Sequence, residues 1–341
     1  MSEETTAQTG RPRTLPMFTG LFVALTLLLG AVVAAHFYVD YRAERTLRDA
    51  RETLNVELAR RALAADIAAV TTDLMFLGRL VEGLSFDRTA AEGRNRYLAE
   101  VFLTFAREKG LYDQIRFLDI RGQEVVRVNL AGGNPVLVAQ RQLRDKSSRY
   151  YVAKALSLDH GQVYLSPRDL NIEDGVIEQP IKPVLRFATP VFDIAGRRQG
   201  LVILNYLGDR LLERFRQAAA NIAGRVQLLN GDGYWLSSPR PSESWGFMLG
   251  REDTFQRRFA DAWKQIREEK AGQFVSVGGL FTFATVWPAA HAARALPPGG
   301  IPAAQGEVWK VVSNFRLDAA SLGLGSFVRR HAALYLGILG L

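Results

Sequence analysis

The sequence predicts an α+β chain in which an apolar helix leads into a long amphipathic helix, followed by two successive modules of antiparallel sheet with helices. Three observations carry this. No Asp, Glu, Lys or Arg occurs between Arg13 and Asp40. Neither glycine nor proline occurs from Asp40 to Leu77, and apolar residues there recur at helical spacing. Beyond Gly110, short strand-like runs separated by glycine turns appear in two successive sets.

At 341 residues the chain is long for one globular unit, so about two domains are expected. A hydrophobic content of 48% and a charged content of 23% place it among folded proteins and not disordered ones. The net charge of +8 is diffuse, with no Lys/Arg block interleaved with aromatics, which argues against a nucleic-acid partner. The absence of cysteine excludes thiol chemistry, disulfides and cysteine-based metal sites, and it fits an exported domain.

Residues 1–16 read as a cytoplasmic N-terminus, and 17–39, MFTGLFVALTLLLGAVVAAHFYV, as a retained transmembrane helix. The run is longer than a usual signal-peptide core and lacks a small-x-small cleavage site. Arg11 and Arg13 favour an N-terminus inside, which puts the chain in the inner membrane with everything after Asp40 in the periplasm or outside the cell.

Residues 40–83 form the long helix. Leu63, Ile67, Val70, Leu74, Leu77 and Val81 make one apolar stripe, which packs on its own domain, pairs with the same helix of a second chain, or does both.

A first module is expected over 84–222. It has a helix at about 91–109 ended by Gly110, a hairpin of YDQIRFLDI and EVVRVN, a short helix near SRYYVAKAL, strands at QVYLSP, VLRFATPVFD and GLVILNYL, and a closing helix at 208–222. A second module is expected over 223–318. It has strands RVQLLN and YWLSS around Gly231-Asp232-Gly233, one helix TFQRRFADAWKQIREE, strands GQFVSV, LFTFATVW and VWKVVSNF, and a mobile loop at 291–307. In 319–341, Arg329 and Arg330 precede the apolar HAALYLGILGL, which reads as a linker and the start of a second transmembrane helix cut off at Leu341.

Enzyme templates fail on residue types, for there is no G-x-x-x-x-G-K-[ST], G-x-G-x-x-G, G-x-S-x-G or H-E-x-x-H. With only His36, His160, His291 and His331 present, a histidine-centred site is not expected. Asp169, Asn171 and Glu173 have the start of a calcium loop, but Asp174 stands where glycine is needed and Pro180 where the closing Glu belongs. No cofactor or metal is predicted, and the chain is not expected to be an enzyme.

What remains is a set of polar and aromatic residues that converge on the first sheet: Arg127, Tyr150, Tyr151, Tyr164, Ser166, Asp169, Lys182, Arg186, Thr189 and Asn205. Such a set suits a pocket for a small anionic, zwitterionic or otherwise polar ligand. Each residue also has a plainer reading. Arg127 could point outward on its strand, Tyr150 and Tyr151 could be helix core, and Asp169 and Asn171 could cap a turn. Lys182 and Arg186 could pair with Glu178 or Asp174. In the second module, Trp235, Trp245 and Phe247 either line a further cavity or pack the core, and core packing is expected.

The runs YLSPRDLNIEDGVIEQPIKPVLRFATPVFD with GLVILNYLGDRLL, and LLNGDGYWLSS with ESWGFML, resemble the double Cache sensor region of bacterial membrane histidine kinases and diguanylate cyclases. The resemblance covers about residues 40–320 and implies two PAS-like modules on a membrane-anchored helix. It implies ligand binding in the membrane-distal module, with the loop from Asp169 to Pro183 over the pocket and Arg186 on its floor or rim. It further implies a homodimer that signals across the membrane, with the output domain absent from this chain. The amino-acid-binding branch carries R-x-W-Y and a later Asp. Here Arg149-Tyr150-Tyr151 and the neutral Asn205 stand instead, so no α-amino-acid ligand is predicted. Two other readings are a binding module for a partner transporter and an anchored hydrolase using carboxylates at 173–178.

Overall fold

The computed structural model describes residues 14–84, 89, 91–173, 175–296, 307–317, 327–328 and 331. The first helix, α1 (Thr14–Glu82), is continuous. The chain divides into two compact units, one of Met1–Arg51 with Arg316–Leu341, the other of Glu52–Phe315.

In the first unit, Met17, Phe18, Leu21, Phe22, Leu25 and Leu28 are all exposed. A helix apolar all round and open to its surroundings suits lipid. Among the described residues α1 is the one helix long and apolar enough to cross a membrane. The 23 residues 17–39 span about 35 Å at the helical rise, enough for a hydrocarbon core of about 30 Å. Most of 319–341 lies outside the described residues, including the expected second membrane helix. Within that stretch the Phe327 ring stands edge-on to His36 at 5.4 Å and to Phe37 at 5.1 Å.

In the second unit the rest of α1 is an internal strut. Leu63, Ile67, Val70, Leu74, Leu77 and Val81 are buried in the main core, so the stripe is core of its own chain. Leu54, Leu58 and Phe76 remain exposed on the helix. Acidic residues fasten the strut at three levels. Glu52 accepts from Arg225 and Ser313, Asp66 from Tyr206 and Arg214, and Asp73 from Tyr112 and Lys109.

The first sheet contains β1 (Tyr112–Asp119), β2 (Glu124–Ala131), β3 (Asn134–Leu137), β4 (Tyr164–Leu165), β5 (Asp169–Leu170), β8 (Pro183–Phe192) and β9 (Arg198–Leu207). Its order is β3-β2-β1-β9-β8-β4, with β5 also on β8 and all pairs antiparallel. A two-stranded hairpin, β6 (Ile172–Glu173) and β7 (Val176–Ile177), follows β5. On one face, Ile115, Phe117, Phe187 and Leu204 join α1 and α2 (Ala91–Lys109) in the main core. On the other, Leu118, Ala188, Leu201 and Ile203 pack on α3 (Tyr150–Leu156). With both faces covered, β8 is buried at every position but the last, and its sequence loses the alternation of a half-exposed strand. The helix α4 (Gly208–Ala218) closes the module.

The second sheet runs β11-β10-β14-β13-β12, from β10 (Val226–Leu229), β11 (Trp235–Ser237), β12 (Ala271–Ser276), β13 (Gly279–Val286) and β14 (Trp309–Phe315). The expected single helix is two, α5 (Phe255–Arg258) and α6 (Ala260–Glu268). They break at Phe259, which leaves helical geometry at φ −137° and ψ 62° while its ring packs on Phe255 and Phe281. The expected loop at 291–307 is corrected at its start, because α7 (Pro288–Arg294) begins at a favourable first-turn proline and buries His291. Residues 297–306 lie outside the described set.

Lys310 on β14 is buried, and its Nζ donates to the Glu269 carbonyl (2.7 Å) and the Thr285 hydroxyl (2.8 Å). Burial holds its pKa down to about 8. Above that pH the folded chain has lost a proton that the unfolded chain keeps until about 10.4, so this residue adds stability as pH rises through that window. Lys310→Met is expected to remove the rise. The difference in melting temperature between variant and parent, measured at about pH 7.5 and about pH 9.5, checks it, and a pH-independent difference contradicts it.

Candidate functional site

Arg186, Asn205 and Gln114 sit opposite one another across β8, β9 and β1, and Arg116 lies two residues further along β1. These positions share the face under α3, where strand parity sends Arg116, Arg186 and Asn205 inward. Arg116 is 2% exposed and Arg186 7%, so the lone arginine in the apolar β8 run does not point into water. Together with α3, β5 and the start of the β6–β7 hairpin they enclose a cavity of about 70 Å³.

The floor is a bonded network. Arg116 donates to the Asn205 Oδ1 at 2.7 Å and to the Tyr151 hydroxyl at 3.2 Å. Arg186 donates to Asp169 Oδ1 at 2.6 Å and Asn171 Oδ1 at 3.3 Å. Asp169 also accepts from the Tyr150 hydroxyl at 3.2 Å. The Tyr151 ring has both guanidiniums near it, Arg186 at 5.3 Å and Arg116 at 5.7 Å from its centre. Lys146, Arg149, Leu170 and Ile172 complete the lining.

Among the described residues the lining carries four cationic side chains, Arg116, Lys146, Arg149 and Arg186, and one carboxylate, Asp169, with Glu124 Oε1 3.8 Å from Arg116 behind it. The titration directions follow the local partners of each group. Burial works to raise the Tyr151 phenol, yet Arg116, Arg186 and Lys146 outweigh it and the pKa is lowered. For Asp169 burial prevails over the pull of Arg186, and its pKa is raised. Burial opposes the charge of Arg186, but Asp169 and the tyrosines more than restore it. Among the described residues, neither histidine nor serine lines the cavity. Among the described residues no group of three His, Asp or Glu could hold a metal ion.

Of the residues singled out in the sequence, Tyr150, Tyr151, Asp169, Arg186 and Asn205 line the cavity. The other five are held elsewhere. Arg127, the cross-strand partner of Arg116, is drawn to Glu124 at 2.8 Å. Tyr164 packs in the cluster behind α3, and burial pushes its pKa up to about 12. Ser166 accepts from the Arg186 backbone N–H at 3.0 Å and so fixes the strand, not the ligand space. Lys182 pairs with Glu178 at 2.8 Å and Asp113 at 3.0 Å. Thr189 donates to the Gln162 carbonyl. Glu178 is held by Lys182 and Asn171, and the side chains of Glu173 and Asp174 lie outside the described set. Trp235 is fully buried and donates to Gln227, so it is core, as expected.

Sequence reasoning missed Arg116, Gln114 and Lys146. The register gives the signal that was there to use, since Arg116 stands on the same face as Asn205 once β1 is paired with β9. The residue beside Asp169 faces the other way. Arg168 is 1% exposed, its guanidinium lies 4.3 Å from the Trp309 ring centre, and its backbone N–H reaches Glu307 at 3.2 Å. None of its guanidinium nitrogens has a hydrogen-bond partner among the described residues.

A family model described as the sensor domain of bacterial histidine kinases matches residues 56–295. Among solved structures, the chain is similar to a domain of a sensory box/GGDEF family protein from Vibrio parahaemolyticus, at 21% identity over 81% of this chain and 99% of that one, with a TM-score of 0.62. It is similar to the extracellular domain of the histidine kinase vpHK1S-Z8, at 21% identity over 82% and 96%, with a TM-score of 0.61. The sensory domain of a Campylobacter jejuni chemoreceptor with isoleucine bound has the same fold, at 8% identity over 83% and 97% and a TM-score of 0.55. No curated protein sequence matches the chain.

Proposed function

Since the chain belongs to the family of bacterial histidine kinase sensor domains, its role is sensory, and we propose that the cavity under α3 is where its ligand binds. The observation that carries this is the pair of buried guanidiniums, Arg116 and Arg186, on a floor shared with Asn205. Natural chains rarely bury polar groups of this kind without a use for them. The module over 84–222 is then the membrane-distal one and that over 223–318 the proximal one. The apolar helix crosses the inner membrane, with the rest facing the periplasm or cell exterior. The chain itself is not an enzyme, and the response is made by an output domain of kinase or cyclase type.

The chain works as a homodimer along the outward face of α1, where Leu54, Leu58 and Phe76 are exposed. Sedimentation of the full chain in detergent tests this. A mass of two chains that Leu58→Arg reduces to one is the expected result, and a single chain throughout refutes it.

Ligand binding is tested by thermal shift of the full chain in detergent against small carboxylates, phosphates, amino acids, amines and polyols. A ligand at a hundred times its Kd is expected to add about 2.7 kcal/mol. Arg186→Ala is expected to abolish that shift. If the library produces no shift, or shifts that Arg186→Ala leaves in place, the cavity is not the ligand site.

A further inference from the structure

We propose that the two-residue strand β5 passes the state of the cavity to the second sheet, with Arg168 as the side chain that moves. The proposal rests on the cavity being the ligand site and adds how its occupancy is transmitted. Three consecutive residues carry it. Asp169 lines the cavity and holds Arg186 at 2.6 Å. Its two neighbours are bonded elsewhere. The backbone N–H of Arg168 donates to Glu307 at 3.2 Å, that of Leu170 donates to Met248 Sδ at 3.0 Å, and the Arg168 guanidinium lies 4.3 Å from the Trp309 ring centre. Met248, Glu307 and Trp309 all come from the part of the chain that builds the second sheet.

The strand itself is lightly held. It pairs with β8 only at Asp169–Val184 and Leu170–Pro183, and the proline has no N–H to give. A two-residue strand on one partner belongs to the least stable parts of a fold, the parts from which moving elements are drawn. Asp169 adds the firmest tie, a charge-assisted bond to Arg186, together with a bond from the Tyr150 hydroxyl at 3.2 Å. Leu170 is fully buried in the main core. When Asp169 leaves Arg186, the strand therefore turns about Leu170 and carries Arg168 with it.

Arg168 is poised to respond. It is 1% exposed, burial holds its pKa down to about 10, and among the described residues no hydrogen-bond partner meets its guanidinium nitrogens. A buried cation without hydrogen bonds is costly, so its seat depends on the Trp309 face and on Glu307 and Asp209, which act on it without bonding its side chain. The attraction of a ring face fades beyond about 6 Å, so a displacement of roughly 2 Å takes the guanidinium off Trp309. The receiving side is strained as well. The Met248 backbone N–H donates to the Trp245 carbonyl at 3.1 Å, and Trp245 has φ +65°, a left-handed backbone that a bulky side chain adopts at a cost and that clusters at switch segments.

Fluorine NMR of the full chain in detergent, labelled with fluorotryptophan, tests the link without a ligand. The five tryptophans give five lines, and Trp309→Phe identifies the line of Trp309. Asp169→Ala removes both of its bonds and is expected to shift that line while leaving the line of Trp263, on α6, in place. Asn205→Ala disturbs the same cavity floor through Arg116 and Gln114 and is expected to leave Trp309 where it is. Arg168→Met is expected to shift the Trp309 line by itself, and adding Asp169→Ala is expected to shift it no further. Melting curves establish that the variants fold, and Arg168→Lys repeats the last comparison if Arg168→Met does not.

A Trp309 line that Asp169→Ala leaves in place overturns the proposal. So does one that Asn205→Ala shifts equally, because the disturbance then does not travel through β5. A further shift on adding Asp169→Ala to Arg168→Met takes the moving part away from Arg168 and overturns it too. These outcomes are separate from the thermal-shift screen, whose failure removes the cavity as the ligand site and leaves the measured link between β5 and Trp309 standing.

Discussion

Gly200→Ala is expected to prevent the first sheet from assembling. Gly200 lies on β9 opposite Asp119 on β1 and Val191 on β8, so the backbone is gripped from both sides. A Cβ built there would sit 2.0 Å from the Leu118 carbonyl oxygen. Neither strand can yield without breaking its ladder, and the loss should be about 4 kcal/mol or more, among the largest a single substitution causes. Gly196→Ala is the control. Its φ of +74° also disfavours a side chain, but nothing lies within 4 Å of the added atom, and a loss of about 1–2 kcal/mol is expected. Melting of the purified full chain distinguishes the two. A Gly200→Ala chain that melts within about 2 °C of the parent would show that the β1–β9 contact is looser than described.

Arg225→Met is expected to cost about 3 kcal/mol, and adding Glu52→Gln to restore much of it. Glu52 is 1% exposed and accepts from Arg225 Nε at 2.9 Å, again from its Nη2, and from the Ser313 hydroxyl at 2.5 Å. Without Arg225 a carboxylate stays buried with one hydroxyl as donor. Because the Arg225 side chain is 32% exposed, water screens part of the pair and the loss falls at the lower end of the range for buried pairs. Removing the charge of Glu52 removes the penalty, so the double variant should be more stable than Arg225→Met alone. Urea unfolding of the two singles and the double measures the coupling. Additivity within about 0.5 kcal/mol would mean that the pair does not fasten α1 to the second sheet.

The elements were legible where local pattern and burial agree. The spacing from Leu63 to Val81 and the glycine-bounded runs around Phe117, Phe187 and Leu204 say what they form, because one face or both meet a core. The pattern failed at Phe259, where aromatic packing outweighs helix continuation, and at Pro288, where a proline that starts a helix was read with the glycines and prolines that follow it.

The site was legible in part for a related reason. Asp169, Arg186 and Asn205 stand in runs that carry the resemblance, and Tyr150 and Tyr151 stand where its R-x-W-Y element is altered. Arg116 stands in β1, which is buried on both faces, so Phe117 and Leu118 beside it erase the alternation that would show which way a side chain points. Choosing Arg127 landed on the neighbouring strand in the same register row. Lys146 reaches the cavity from a loop and Leu170 and Ile172 from two-residue strands, which no local pattern encodes.

Arg168 and Asp169 are consecutive, and their side chains serve different enclosures: Asp169 belongs to the cavity, Arg168 to the Trp309 ring on β14. One peptide bond therefore joins two equilibria. A ligand that lifts Asp169 from Arg186 also works on the seat of Arg168, and thermodynamic reciprocity demands the converse in equal measure. Any coupling between the two enclosures runs equally in both directions, so a Trp309→Leu variant is expected to report through the cavity by the same factor with which a change in the cavity reports on Trp309.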